Sequence, residues 1–379
     1  MEYSILNIPL ARLRTRTSMK WQRYDADVLP LWVAEMDADP AAPVAEAMIQ
    51  GIRNGDTGYP EGHHYEEAWA DYSSRHWGWR PDPSQLVLGP DVMQSISALI
   101  HAMTVPGDLV VLNSPVYPPF YSVITEAGRR VLDVPLTAKG RLDLEALEAA
   151  FAGPSAEKPT AYLLCNPHNP TATTHTRDEL TQVAALAREH QVRVISDEIH
   201  APLVHSGDTF VPYVSVPGAE TDFAVASASK AWNLAAYKAA LIIAGAGARK
   251  DLAGLAYGAT RGAASHGAVI AHTAALRHGQ PWLNQLLAEI EANQQLLSRL
   301  LAEQLPQVGY RPGSATYLAW LDCRELGLAA PSRHFLEHAR VALNDGATFG
   351  PDHAGFVRLN LATSPQIITE AIGRITASL

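Results

Sequence analysis

The chain has 379 residues, with 29 Lys and Arg against 39 Asp and Glu, a net charge of −10, and no stretch in which basic residues collect. At roughly 150 residues per domain it holds two domains, or a large and a small lobe, with room for a sizeable core. An acidic chain without a basic run cannot neutralise a row of phosphates, which argues against nucleic acid as a partner.

Met1–Lys20 mixes Glu2 and several arginines with one apolar patch, Ile5–Leu10, broken by Asn7 and Pro9, so it lacks the form of a secretion signal. No apolar run approaches the ~18 residues a membrane span needs. Cys165 and Cys323, far apart among apolar neighbours, read as small core residues of a reducing compartment. A soluble cytoplasmic protein is expected. Residues 1–45, rich in loop signals, are expected to form an arm across two lobes and part of the smaller one.

Short apolar or β-branched runs then alternate with Ala- and Leu-rich amphipathic stretches, the pattern of strands alternating with helices. The expected strands are Gln85–Leu88, Leu109–Leu112, Arg130–Val134, Ala161–Cys165, Val192–Ser196, Phe223–Ala226 and Ala240–Ile243. Several are apolar throughout, as fits a sheet covered by helices on both faces. Residues 46–280 are therefore expected to be a doubly wound α/β domain with a mostly parallel, seven-stranded sheet. Beyond about residue 280 the texture changes to a long helix, Trp282–Gln304, then Thr316–Leu321, a further helix and Phe356–Leu361; residues 281–379 read as a small α+β domain.

Ligands of an open α/β sheet bind beyond the carboxyl ends of its strands, so the residues just after each strand are the informative ones. Gly89-Pro90-Asp91 opens the helix Val92–Met103, whose free amides suit an anion. The other ends carry Asn113–Pro119, Cys165–Pro170, Ser196–His200 and Ser227–Lys230. Together they gather an aromatic ring, an amide, a carboxylate, an imidazole and an amine around one crevice. That set suits a charged heteroaromatic cofactor: the carboxylate holds a pyridine nitrogen protonated, the amide binds a phenolate oxygen, the ring stacks, and the lysine forms a Schiff base. A nucleophilic lysine needs desolvation or neighbouring cations to be neutral near pH 7, and Lys238 is a candidate neighbour of Lys230. His63-His64 and His200 with His205 lack a convincing set of Cys, His and carboxylate ligands, so no metal is expected.

Leu31–Asp37, Tyr117–Phe120, Cys165–Pro170, Ser196–His200, Ser229–Asn233 and Arg358–Asn360 resemble, in order and over nearly the whole chain, the motifs of fold-type I pyridoxal-phosphate enzymes. More narrowly they resemble the cystathionine β-lyase branch of the class I/II aminotransferases. The resemblance implies that Lys230 binds the cofactor covalently and later moves the substrate's α-proton, that Asp197 pairs with the pyridinium nitrogen, and that Asn169 and His200 lie near the 3-oxygen. Tyr117 is implied to stack on the ring. The phosphate is implied to sit at Asp91, Val92 and Met93, with Ser227, Ser229 and Lys238 as further contacts. Arg358 is implied to hold the substrate carboxylate in a bidentate fork, with Ala34 and Asn169 beside the substrate. Tyr59 resembles a tyrosine that reaches into a partner subunit's site, which implies a homodimer with active sites at the interface.

Two departures stand out. Ala172 and Ala236 occupy places where the pattern has glycine, and Tyr237 follows where leucine is usual. These bear on the walls of the pocket more than on the cofactor. The expected activity is cleavage of an S-substituted L-cysteine, such as cystathionine or another cysteine conjugate, to a thiol, pyruvate and ammonia. The same residues serve an aminotransferase, and the altered walls suit a tailoring enzyme that cleaves, deaminates or decarboxylates a bulky cysteine conjugate. A protein that binds the cofactor without turnover is the reading outside catalysis.

Overall fold

The computed structural model describes residues 4–154, 157–255 and 264–379. Seven strands form the central sheet: β1 (Leu86–Gly89), β2 (Leu109–Leu112), β3 (Arg130–Asp133), β4 (Pro159–Cys165), β5 (Arg193–Asp197), β6 (Phe223–Ala226) and β7 (Ala240–Ala244). Their order is β1-β7-β6-β5-β4-β2-β3. β2 to β6 pair in parallel; β7 runs antiparallel to both β6 and β1. The runs Leu-Val-Val-Leu, Phe-Ala-Val-Ala and Ala-Leu-Ile-Ile-Ala of β2, β6 and β7 are buried at every residue, because helices cover both faces.

The strand ends move by a residue or so from the expected bounds, and one shift carries chemistry. The parallel ladder continues to Asp197, paired with Cys165, so the carboxylate stands on the last strand residue rather than on a loop. Connections from β2 run outward to β3 and then back to β4 on its other side. This makes a switch point from which chain segments diverge and leave a crevice at the strand ends.

A second, antiparallel sheet of four strands has the order β10-β11-β9-β8, built from β8 (Gly309–Tyr310), β9 (Leu318–Asp322), β10 (Asn344–Asp345) and β11 (Phe356–Asn360). β9 starts two residues later than its apolar run suggests. Thr316 takes φ +65° and its hydroxyl accepts from the Leu318 N–H (3.1 Å), which turns the chain before the ladder begins.

The helices that matter most for the site are α1 (His64–Trp77), α2 (Val92–Met103), α3 (His266–His278) and α4 (Gln280–Gln304). α4 serves both cores. Leu283, Leu286 and Ile290 pack against the large sheet's helices, while Leu297, Leu300 and Leu301 pack under the small sheet, each set following the i, i+3, i+4, i+7 pattern of one helix face. The N-terminal stretch is divided likewise: Ile5, Leu6 and Met36 lie in the first core and Leu13, Leu29 and Leu31 in the second. Leu29–Pro30 also pairs in parallel with Val341–Ala342. Among the described residues no helix is long and apolar enough to cross a membrane.

Candidate active site

The ends of β1, β2, β4, β5 and β6, the N-terminus of α2, residues Trp32–Ala34 and β11 enclose one cavity of about 660 Å³. Every residue named above as a cofactor or substrate contact lines it except Tyr59. Tyr59 is 95% exposed on a surface loop and does not reach the cavity of its own chain.

Lys230 is the fourth residue after β6 and donates from Nζ to the Ala34 carbonyl (2.9 Å). Burial lowers its pKa to about 8, with the Arg358 cation adding to the effect and Glu35 and Asp197 opposing it. An amine of that kind has an appreciable neutral fraction near pH 7 to 8, which an exposed lysine does not. Asp197 is 4% exposed, and the one hydrogen bond to its carboxylate among the described residues comes from the Ile199 N–H (3.0 Å). Burial pushes its pKa up to about 7, against the Ile199 bond and the Lys230 charge. A carboxylate so poorly solvated gains from a cationic N–H placed in the cavity, which returns it to the charged form.

His200 lies one turn beyond Asp197 and stays neutral, its pKa brought down to about 3 by burial and then by the charges of Lys230 and Arg358. Its Nδ1 is buried without a partner. Arg358, on β11, is 3% exposed; Nη1 donates to Asn169 Oδ1 (2.9 Å) and Nη2 to the Trp32 carbonyl (3.2 Å), while Nε has no partner. Burial brings its pKa down to about 10, so it remains a cation. The Tyr117 phenol is pushed up by burial and stays protonated.

At the cavity's other end Asp91 caps α2, accepting from the Gln94 N–H (2.8 Å), and pairs with Lys238 Nζ (3.0 Å). The Val92 and Met93 amides face the same end at the positive pole of a 12-residue helix. Ser227 Oγ donates to the Ala239 carbonyl (2.7 Å) and accepts from the Ser229 N–H (3.1 Å). A helix N-terminus with a nearby ammonium, a buried carboxylate, a softened lysine and unpartnered nitrogens on His200 and Arg358 fit pyridoxal phosphate in charge at each end. Among the described residues no group of three or more His, Cys, Asp and Glu is placed to hold a metal ion.

Several functional neighbours carry no sequence signal of their own. Tyr65 of α1 accepts from the Ala228 N–H (3.1 Å) through its hydroxyl and meets His272 Nδ1 (3.1 Å), and His272 Nε2 meets the Tyr237 carbonyl (2.8 Å). This buried relay fixes both ends of the loop that holds Lys230. His272, on an Ala-rich helix face, could have been flagged as a buried imidazole; Tyr65 could not. Asn344 is paired with Arg358 across the small sheet, a neighbour only register creates. Asn233 and Asn360, inside two of the motifs, grip residues 33–36: Asn233 bonds both Met36 N (2.9 Å) and Met36 O (3.0 Å), and Asn360 donates to Val33 O and Glu35 O (2.7 Å each).

The replaced glycines have a structural answer in one case. Ala172 takes φ +55°, the left-handed region that favours glycine. Across from it stands Gly313, where a Cβ would come within 2.3 Å of the Ala172 Cβ.

The family model for class I and II aminotransferases matches residues 26–375. A Mycobacterium tuberculosis protein provisionally named cystathionine beta-lyase is 50% identical over 98% of this chain and 97% of its own length. Cystathionine beta-lyase PatB of Bacillus subtilis is 34% identical over 97% of this chain and 98% of its own. Among solved structures, one from Corynebacterium diphtheriae, provisionally described as a PLP-dependent beta-cystathionase, matches with a TM-score of 0.93 at 34% identity and covers 99% of both chains.

Proposed function

The chain belongs to the class I and II aminotransferase family, and we propose that within it this protein is a pyridoxal-phosphate-dependent carbon–sulfur β-lyase, splitting an S-substituted L-cysteine into a thiol, pyruvate and ammonia. The observation that carries the reading is Lys230: an amine brought to about 8, in one cavity with a buried carboxylate and an unneutralised arginine. Full-length similarity to proteins named cystathionine β-lyase sets the bond to be cleaved.

When bound, pyridoxal phosphate supplies an aldehyde and an electron-accepting pyridine ring. Val92 and Met93 would hold its phosphate by their amides, with Asp91 fixing the helix end and Ser227, Ser229 and Lys238 alongside. Asp197 would hold the ring nitrogen, Asn169 and His200 the 3-oxygen side, and Tyr117 the ring face. Arg358 would bind the substrate carboxylate through guanidinium N–H groups that no protein carboxylate occupies, beside Asn169 and the Ala34 carbonyl. Lys230 Nζ, once neutral, would take the α-proton, general-base work worth typically 10²–10⁴-fold. The protonated Tyr117 hydroxyl is a donor for the departing sulfur.

A cytoplasmic homodimer completes the reading. Tyr59 is exposed, as are Ile49 and Ile52 of the preceding helix, and its ring would enter the partner's cavity. Mixing two inactive variants, Tyr59→Ala and Lys230→Ala, is expected to restore turnover, because one of the two sites in a mixed dimer then has both residues; no recovery removes the shared site.

The deciding experiment supplies L-cystathionine and S-ethyl-L-cysteine without any keto acid and measures pyruvate and free thiol. Release of both is expected. Product that forms only when a keto acid is added assigns transamination instead.

A further inference from the structure

Arg358 is a buried cation that forms no ion pair with any carboxylate among the described residues. An isolated charge in such a place is costly, so something must hold it. Its hydrogen-bond partners are neutral: Asn169 Oδ1, the Trp32 carbonyl and, with its amide turned to satisfy both groups, Asn344 Oδ1 at 3.3 Å from Nη2. Arg358 Cζ lies over the ring of Phe349, which is fully buried, 5.0 Å from the ring centroid.

Phe349 is itself braced. Trp320 lies 5.1 Å from it, Phe356 stacks on Trp320 at 5.2 Å and 9°, and Arg324 Cζ lies 4.8 Å over Phe356. The small sheet dictates this column. β9 sets Trp320 directly across from Arg358, β10 sets Asn344 across from it on the other side, and Phe356 is two residues earlier on β11, so period two puts it on the same face. The Phe349 carbonyl is tied to the segment that follows β2 of the large sheet, accepting from Val116 N (2.9 Å) and Tyr121 Oη (3.2 Å), next to the Tyr117 that lines the cavity.

We propose that Phe349, backed by Trp320, is a positioning residue for Arg358: the ring face stabilises the guanidinium without occupying its N–H donors. A carboxylate counter-ion would stabilise the charge equally but would compete with the substrate for the same in-plane donors. An aromatic face takes none of them, so the substrate carboxylate meets an oriented cation that no other carboxylate has claimed and whose Nε has no partner. The proposal rests on Arg358 being the carboxylate clamp, as the function proposed above has it.

The test uses holoenzyme and two unreactive halves of a substrate. 3-(Ethylthio)propanoate carries the carboxylate without the amine, and S-ethylcysteamine the amine without the carboxylate. In Phe349→Leu the dissociation constant of the first, measured by calorimetry, should rise on the order of 10-fold, while that of the second, read from the cofactor's absorbance, stays within about twofold by the same reasoning. In turnover, KM should rise more than kcat falls, since the lost contact orients bound substrate. Equal losses for both ligands would mean a collapsed pocket and overturn the proposal, as would no loss for either. Should Phe349→Leu not fold, Trp320→Leu decides: it should weaken the carboxylate ligand alone and by a smaller factor, and an unchanged affinity overturns the proposal. The titration is independent of the reaction, so a wild-type protein that binds 3-(ethylthio)propanoate yet releases no pyruvate would fail the lyase reading and leave the clamp standing.

Discussion

Lys230 and Arg358 share a cavity that disfavours both charges, and the burden falls on the lysine because a guanidinium does not give up its proton in the physiological range. That division of labour makes one group a base and the other a clamp. It also fixes a pH dependence. Attack on an aldehyde needs the neutral amine, which grows as pH rises through the group's pKa, so the rate of cofactor loading into cofactor-free protein should climb to about pH 8 and then level off. Stopped-flow absorbance measures it; a rate that keeps climbing beyond pH 10, as for an exposed lysine, would contradict the cavity's effect. Lys230→Ala should lose both the cofactor mass fixed by borohydride and all pyruvate release, whereas a labelled protein after that substitution would place the link elsewhere.

At the scale of elements, α2 does two jobs with one residue at its start. Asp91 accepts from the Gln94 N–H and holds Lys238, so the helix end is closed and a cation waits beside the amides of Val92 and Met93. Removing the cap in Asp91→Ala should cost about 1 kcal/mol in a urea melt, and Asp91→Asn, which keeps an acceptor, should recover most of it. If both variants melt like the parent, the helix end is held by something other than its cap. The loop from Ser227 to Lys238 has the same economy. Tyr65 and His272, from α1 and α3, hold it from behind, and neither faces the cavity.

Over the whole molecule, residues 33–36 are a seam between the cores of the two sheets. Asn233 holds them from beyond β6, Asn360 from β11, and the N-terminal segment locks them through a buried ion pair, Lys20 Nζ to Asp37 Oδ2 at 2.7 Å, with Lys20 also donating to the Glu35 carbonyl (3.1 Å). Both side chains of the pair are essentially without solvent, 0% and 2% exposed. Lys20→Met leaves an unpaired buried carboxylate and should cost about 3–5 kcal/mol in chemical denaturation, while Lys20→Met with Asp37→Leu should regain much of it. A single variant within about 1 kcal/mol of the parent would show that water reaches the pair. Because Ala34 lies in the seam and accepts from Lys230, the single variant should also disturb turnover.

The order of strands and helices, the buried character of the sheet and the residues beyond its strand ends could all be read from the chain. Each is a local property: apolar runs report burial on both faces, and a polar residue just after such a run is a candidate for the crevice. The motif residues Lys230, Asp197, Asn169 and Tyr117 were legible for that reason, while Arg358, inside β11, was legible only through the resemblance of its motif; the cavity gathers all five. Tertiary structure alone decided what surrounds them. That Phe349 covers Arg358, that Trp320 and Asn344 flank it, that Gly313 opposes Ala172 and that Tyr65 supports the lysine loop depend on strand register and helix docking between residues far apart in sequence. Side-chain periodicity says which face a residue occupies, but only the folded chain sets which distant residue it meets there.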